Sequence, residues 1–143
     1  SRQGKELQLR FILAPSKLWI QAQSLLRSPV QKRHWVHWDQ PEASARLAGI
    51  SALSQRSNLA DDKIHTFALK RQNFRLLMEQ GKFHECENRH EANARIESWS
   101  YDPTLLSDEN AVDPLSLYLS LRDNPDERVQ SELESMMDKF QWR

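Results

Sequence analysis

"KRHWVHW", residues 32–38, carries two tryptophans and two histidines within seven positions. Read as a strand, it sends His34, Val36 and Trp38 to one side and Arg33, Trp35 and His37 to the other, because successive side chains of a strand leave opposite faces. Large rings pointing both ways predict a strand covered on both faces, or covered on one and set against a partner on the other. A sheet with material on both sides is a layered arrangement, and the rest of the chain is read outward from that.

Three further segments read as strands: 6–13 (ELQLRFIL), 64–69 (IHTFAL) and 95–101 (RIESWSY). Between them lie helical patterns. Residues 15–27 start at Pro15, which a first helical turn tolerates, and repeat Leu18, Ala22, Leu25 and Leu26 until Ser28-Pro29 ends the pattern. Residues 42–54 present a face of small side chains, Ala45, Ala48, Gly49 and Ala52, which lets a neighbour approach closely. Residues 73–80 turn Phe74, Leu77 and Met78 inward, and Gly81 suits a left-handed helix end. Two helices close the chain, 114–121 and 125–141, the second with an apolar stripe of Val129, Leu133, Met136, Met137 and Phe140. Strands alternating with helices predict an α/β fold: a small sheet of about four strands, helices packed on it, and two C-terminal helices, as one domain spanning 1–143. The polar run 107–111 (SDENA) reads as a mobile tip.

The chain has 143 residues, enough for one core, and its five Trp and five Phe supply much of the buried surface. The single cysteine, Cys86, excludes an intrachain disulfide and fits a reducing cytoplasm. No apolar run approaches the ~20 residues of a membrane span, and no signal-peptide pattern opens the chain. A net charge of zero conceals a gradient. Residues 1–38 carry seven Lys/Arg against one acid, and residues 96–143 carry four against eleven. A basic end attracts phosphate, so nucleic acid is a conceivable neighbour of the N-terminal part, although solvated helix faces account for the same residues.

"VDPLSLYLSLRDNPDER" (112–128) holds two copies of one device, Asp113-Pro114 and Asn124-Pro125. A short polar side chain before a proline is the signature of a helix start: the proline pre-sets the first φ, and the oxygen accepts from first-turn amides. Asp113 and Asn124 are therefore expected to be caps, with Asp126 and Glu127 complementing the helix dipole.

Residue patterns for catalysis are weak. His84, Cys86 and His90 within "FHECENRHE" (83–91) are metal-ligand types, but the spacing matches no standard zinc motif. There is no Gly-x-Ser-x-Gly and no phosphate loop, the only glycines being Gly4, Gly49 and Gly81. Gly49-Ile50-Ser51 with Asp61-Asp62 faintly suggests a nucleotidyltransferase, but the acids lack the usual alternating spacing. No catalytic residue, cofactor or metal is expected from these patterns. The alternative is a small enzyme of nucleotide or nucleic-acid chemistry using clustered acids such as Asp61, Asp62 or Asp113.

Three segments together, 18–38 (LWIQAQSLLRSPVQKRHWVHW), 47–69 (LAGISALSQRSNLADDKIHTFAL) and 99–137 (WSYDPTLLSDENAVDPLSLYLSLRDNPDERVQSELESMM), resemble the region that follows the DNA-binding domain in bacterial winged-helix regulators of the MarR-like kind. The order of elements is also similar to AbiEi-type antitoxins, in which a winged helix precedes an α/β domain. The resemblance implies that a winged-helix domain stands before Ser1, that residues 6–13 end its wing or follow it, and that DNA is contacted there. The expectation is a non-catalytic, cytoplasmic C-terminal domain of a longer transcription regulator or antitoxin-like repressor. It would serve dimerisation, effector sensing or partner binding, with a homodimer, a protein or a small molecule as partner. Trp35, Trp38, Phe140 and Trp142 are the expected interface residues, since a domain this small has difficulty burying all of them.

Overall fold

A computed structural model describes residues 26–42, 44–107 and 109–140. The strand expected at 6–13, nearly all of the helix expected at 15–27, and Trp142 lie outside the described residues. In chain order the elements are β1 (Val30–His37), β2 (Arg46–Leu47), α1 (Gly49–Gln55), β3 (His65–Lys70), α2 (Arg71–Glu79), β4 (His84–Glu85), a 3-10 turn (Arg89–Glu91), β5 (Ala94–Trp99), α3 (Pro114–Leu121) and α4 (Glu127–Lys139). The fold is α/β, with five strands in the order β2-β3-β5-β1-β4 and two C-terminal helices. The β3–β5 pair is parallel and the other pairs are antiparallel. β2 and β4, two residues each, are too short to leave a period-two signature.

Helices cover both faces of the sheet. On one, Val36 and Trp38 of the β1 edge, Leu69 and Ile96 pack with Phe74 of α2 and Phe83. On the other, Ala68 and Trp99 pack with Ala52 and Leu53 of α1, Leu117 of α3 and Leu133 of α4. The expected stripe of α4 is seen: Val129, Leu133 and Met136 are buried, while Met137 and Phe140 are half-buried at its edge.

Two expectations are corrected here. The helix expected from residue 42 begins only at Gly49, and Arg46–Leu47 is instead a strand against Ala68 and Phe67 of β3. Leu47 donates to the Asn110 carbonyl (2.7 Å) and accepts from the Val112 amide (2.9 Å), so its backbone belongs to a sheet edge. Ala48 is extended, and Gly49 follows at φ +55°, where a Cβ would also come 3.4 Å from the Thr66 methyl. The second correction concerns 107–111. Ala111 is buried, forms a parallel bridge with Leu47, and its carbonyl accepts from the Ser107 hydroxyl, so the end of this run joins the sheet edge.

The helix starts divide. Asp113 caps α3, accepting from the Ser116 amide at 3.0 Å. Asn124 does not cap α4: Asp126 does, accepting from the Arg128 amide at 2.9 Å. Asn124 accepts from the Asp126 amide (2.9 Å) and so folds the turn that leads to the cap. Hydrogen bonds from Arg128 hold the Asp126 carboxyl below the usual range. Pro125 therefore stands before the cap rather than after it.

Candidate functional site

The face that carries α1, α3 and α4 is not completely covered. Where those helices end, a cleft of about 410 Å³ opens onto the sheet. Its floor takes Arg33, Thr66, Arg95 and Glu97 from two rows of side chains that run across three strands. Trp35 of β1 stands opposite Arg95 of β5, which stands beside Thr66 of β3; one step along, Arg33 stands opposite Glu97, which stands beside Ala68. Its rim is Gly49 and Ile50 of α1, the last turn of α3 from Leu119 to Leu121, and Asp123 with Asn124 beyond it.

The chemistry of the floor is ionic. The Glu97 side chain is only 1% exposed, yet its carboxylate is fully partnered: Arg33 Nε donates to Oε2 at 3.1 Å and Trp99 Nε1 to Oε1 at 3.1 Å. Arg33 also donates to the Ser120 carbonyl (3.2 Å), tying the end of α3 to the sheet. A buried carboxylate survives in a fold only when its lone pairs are satisfied in this way. At the other end Arg89 donates to Asp62 at 3.0 Å and lies 5.8 Å from the centre of the Trp35 ring. Arg95 lies closer, 5.1 Å from that ring, within cation–π range. Burial, and then the charge of Arg33, hold Arg95 below the ordinary guanidinium value.

A second cluster joins Ser51, Asp61 and His65. Ser51 Oγ donates to Asp61 Oδ1 (2.9 Å), His65 Nδ1 meets Asp61 Oδ2 (2.9 Å), and Ser51 Oγ accepts from the Thr66 amide (2.9 Å). The three residue types of a nucleophilic triad are present, but the carboxylate stands between serine and histidine. No histidine is in contact with the hydroxyl, which donates to the aspartate instead, so the order of a nucleophilic triad is not made. The network fastens the 57–64 connection to β3. Asp62 is committed to Arg89, and Asp113 to its cap. The three acids of the enzymatic alternative thus each serve a separate structural partner.

The 83–91 run is a connection with a packed start. Phe83 is in the core, His84 is exposed and stacked at 5.6 Å on His37, and the Cys86 amide donates to the Trp35 carbonyl. Among the described residues no group of three or more His, Cys, Asp or Glu is arranged to hold a metal ion. His34 is the histidine most altered by the fold. It stacks on Phe74 at 4.1 Å, its Nδ1 lies 2.9 Å from Glu85 of the edge strand, and burial lowers its pKa against the opposing pull of that carboxylate.

The three expected interface residues that are described are dispersed. Trp38 is 3% exposed, between Phe67 and Phe83, so it is a core residue, and the expectation of an interface role is corrected at this position. Trp35 is half-buried against Arg95, behind the cleft lining, Phe140 is half-buried at the end of α4, and Trp142 lies outside the described residues. Arg33, Thr66, Arg95 and Glu97 were not among the sequence candidates. The alternation within KRHW and RIESW places each on a face, but only strand register brings them together.

Comparison with known proteins finds no matching family, no similar curated protein and no similar solved structure. Among the described residues, no helix is long and apolar enough to cross a membrane.

Proposed function

We propose that this chain is a non-catalytic binding domain, the effector-sensing or partner-binding part of a cytoplasmic bacterial transcription regulator or antitoxin-like repressor. The observation that carries this reading is the cleft. It is a concave site with an ionic floor, of the size that small ligands occupy, and among the described residues no nucleophile–base pair faces it. The separate employment of Asp61, Asp62 and Asp113 supports binding over the enzymatic alternative. The sequence resemblance supplies the regulatory context, in which a winged-helix domain reads DNA and this domain modulates it. Homodimerisation belongs to the same proposal. With Trp38 in the core and Trp35 against Arg95, it rests on the C-terminal aromatics Phe140 and Trp142.

The test is a pair of assays on residues 1–143. Incubation with nucleoside triphosphates, single strands and duplexes in the presence of Mg²⁺ is expected to give no product, and duplex binding is expected to be weak, sequence-independent and strongly salt-dependent. A product that disappears in Asp61→Asn or Asp62→Asn would establish the enzyme instead. Specific, salt-resistant operator binding would place DNA recognition in this domain and overturn its assignment to another.

A further inference from the structure

We propose that the cleft is a binding site for a small organic anion, whose carboxylate or phosphate is held by the Arg95 guanidinium and the Thr66 hydroxyl. The inference rests on the reading of this domain as a binding module and names the chemical class of its ligand.

Three observations point to it. The first is the account of charges. Four of the ionic groups at the cleft are already spent on one another, Arg33 with Glu97 and Arg89 with Asp62. Asp123, the remaining acid, is exposed at the rim. Arg95 is the cation left over. It is half-buried, and its guanidinium has no ion pair and no hydrogen-bond acceptor among the described residues; its one side-chain partner is the face of Trp35. A guanidinium cannot give up its proton, so partial burial without an acceptor leaves a standing demand for an anion. Burial and then the charge of Arg33 depress its pKa, against the opposing pull of Glu97 and Asp62.

The second observation is the neighbour. Thr66 stands beside Arg95 in the parallel register and on the same face. Its amide is used by Ser51, but its hydroxyl makes no hydrogen bond with any described group, although the residue is buried. A fork of N–H donors next to a free hydroxyl matches the two or three oxygens of a carboxylate or phosphate. The third is preorganisation. Arg95 and Arg89 both lie over the Trp35 ring, 5.1 and 5.8 Å from its centre, and Glu97 with Arg33 fixes the adjoining row. Donors of this kind lose little freedom on binding. The volume, about 410 Å³, admits a metabolite-sized molecule.

The experiment titrates residues 1–143 with inorganic phosphate and with succinate, by calorimetry and by thermal shift. At least one is expected to bind in the millimolar range and to raise the melting temperature; which of them does so separates a phosphorylated from a carboxylate ligand. Arg95→Gln is expected to weaken binding about tenfold or more, the scale of one lost charge-assisted fork. Arg95→Lys keeps the charge and stem and retains part of the affinity, which covers the case in which Arg95→Gln fails to fold. Arg75→Gln, exposed on α2, leaves binding unchanged. Equal weakening by Arg75→Gln, or undiminished binding by Arg95→Gln, would reduce the effect to general charge attraction and overturn the site. Absence of binding by both anions in the wild type would overturn it too. Neither result touches the non-catalytic reading, which falls only to the turnover and operator assays.

Discussion

On the α2 face of the sheet, His34, Val36 and Trp38 meet Phe74 and Phe83 in a core of rings, and even the ionisable His34 is stacked and nearly enclosed. On the opposite face three helices cover Ala68 and Trp99, and the end of α3 reaches Arg33, but Arg95 and Thr66 are left facing an open cleft. The difference follows from side-chain size and charge. Ala48, Ala52 and Ala68 allow α1 to lie close on β3. Arginines and a carboxylate in the next rows have to keep hydrogen-bond partners, and a helix laid over them would strip those away. One face is finished by packing, and the other is finished by pairing and then left open.

That contrast can be broken from either side. The largest effect is expected from the packed face: Phe74→Ala removes the ring shared by His34 and Phe83 and should cost about 3–5 kcal/mol, read from urea unfolding. A loss below about 1 kcal/mol would mean that α2 is not a structural cover.

On the paired face, Glu97→Ala should cost about 2–3 kcal/mol. Trp99 then loses an acceptor inside the core, whereas Arg33, whose side chain is 38% exposed, recovers water. Restoration of that loss by the further change Arg33→Met would show that the pair gives specificity more than stability, and would sharpen the comparison.

Smaller effects separate the two helix starts. Asp113→Ala should cost about 1 kcal/mol through loss of the α3 cap, and Asn124→Ala less, about 0.5 kcal/mol, because Asn124 supports only the turn before α4. Equal losses in chemical denaturation would restore Asn124 to a capping role.

The smallest effect is that of pH. His34 is held below its ordinary pKa of about 6.5, so the unfolded chain takes up a proton there before the folded protein does. The stability from its neutral form is present above 6.5 and is lost as pH falls from there towards the folded-state value. His34→Gln should flatten that part of the stability curve; an unchanged slope would assign the titration to another group.

Much of the architecture was legible. The alternation in 32–38 and 95–101 and the 3.6 period in 125–141 locate β1, β5 and α4 to within a few residues, because those patterns are local consequences of burying one side of a strand or helix. Residues 42–48 misled because alanines at helical spacing are also the residues a close-packed sheet edge requires. Asn124-Pro125 misled because a turn and a cap present the same two residues, and the amide each oxygen meets depends on the path of the chain after them.

Sequence alone determined the class of fold, the main strands and helices, the α3 cap, and the presence of rings on both sides of β1. These follow from propensity and periodicity within a dozen residues. Tertiary structure alone decided that β3 and β5 run parallel, that Leu47 reaches Ala111, that Trp38 belongs to the core, and that Arg95 lies between Trp35 and Thr66. Each of those is a pairing between distant segments. Register, which a one-residue slip would invert, is set by the whole sheet and its helices together.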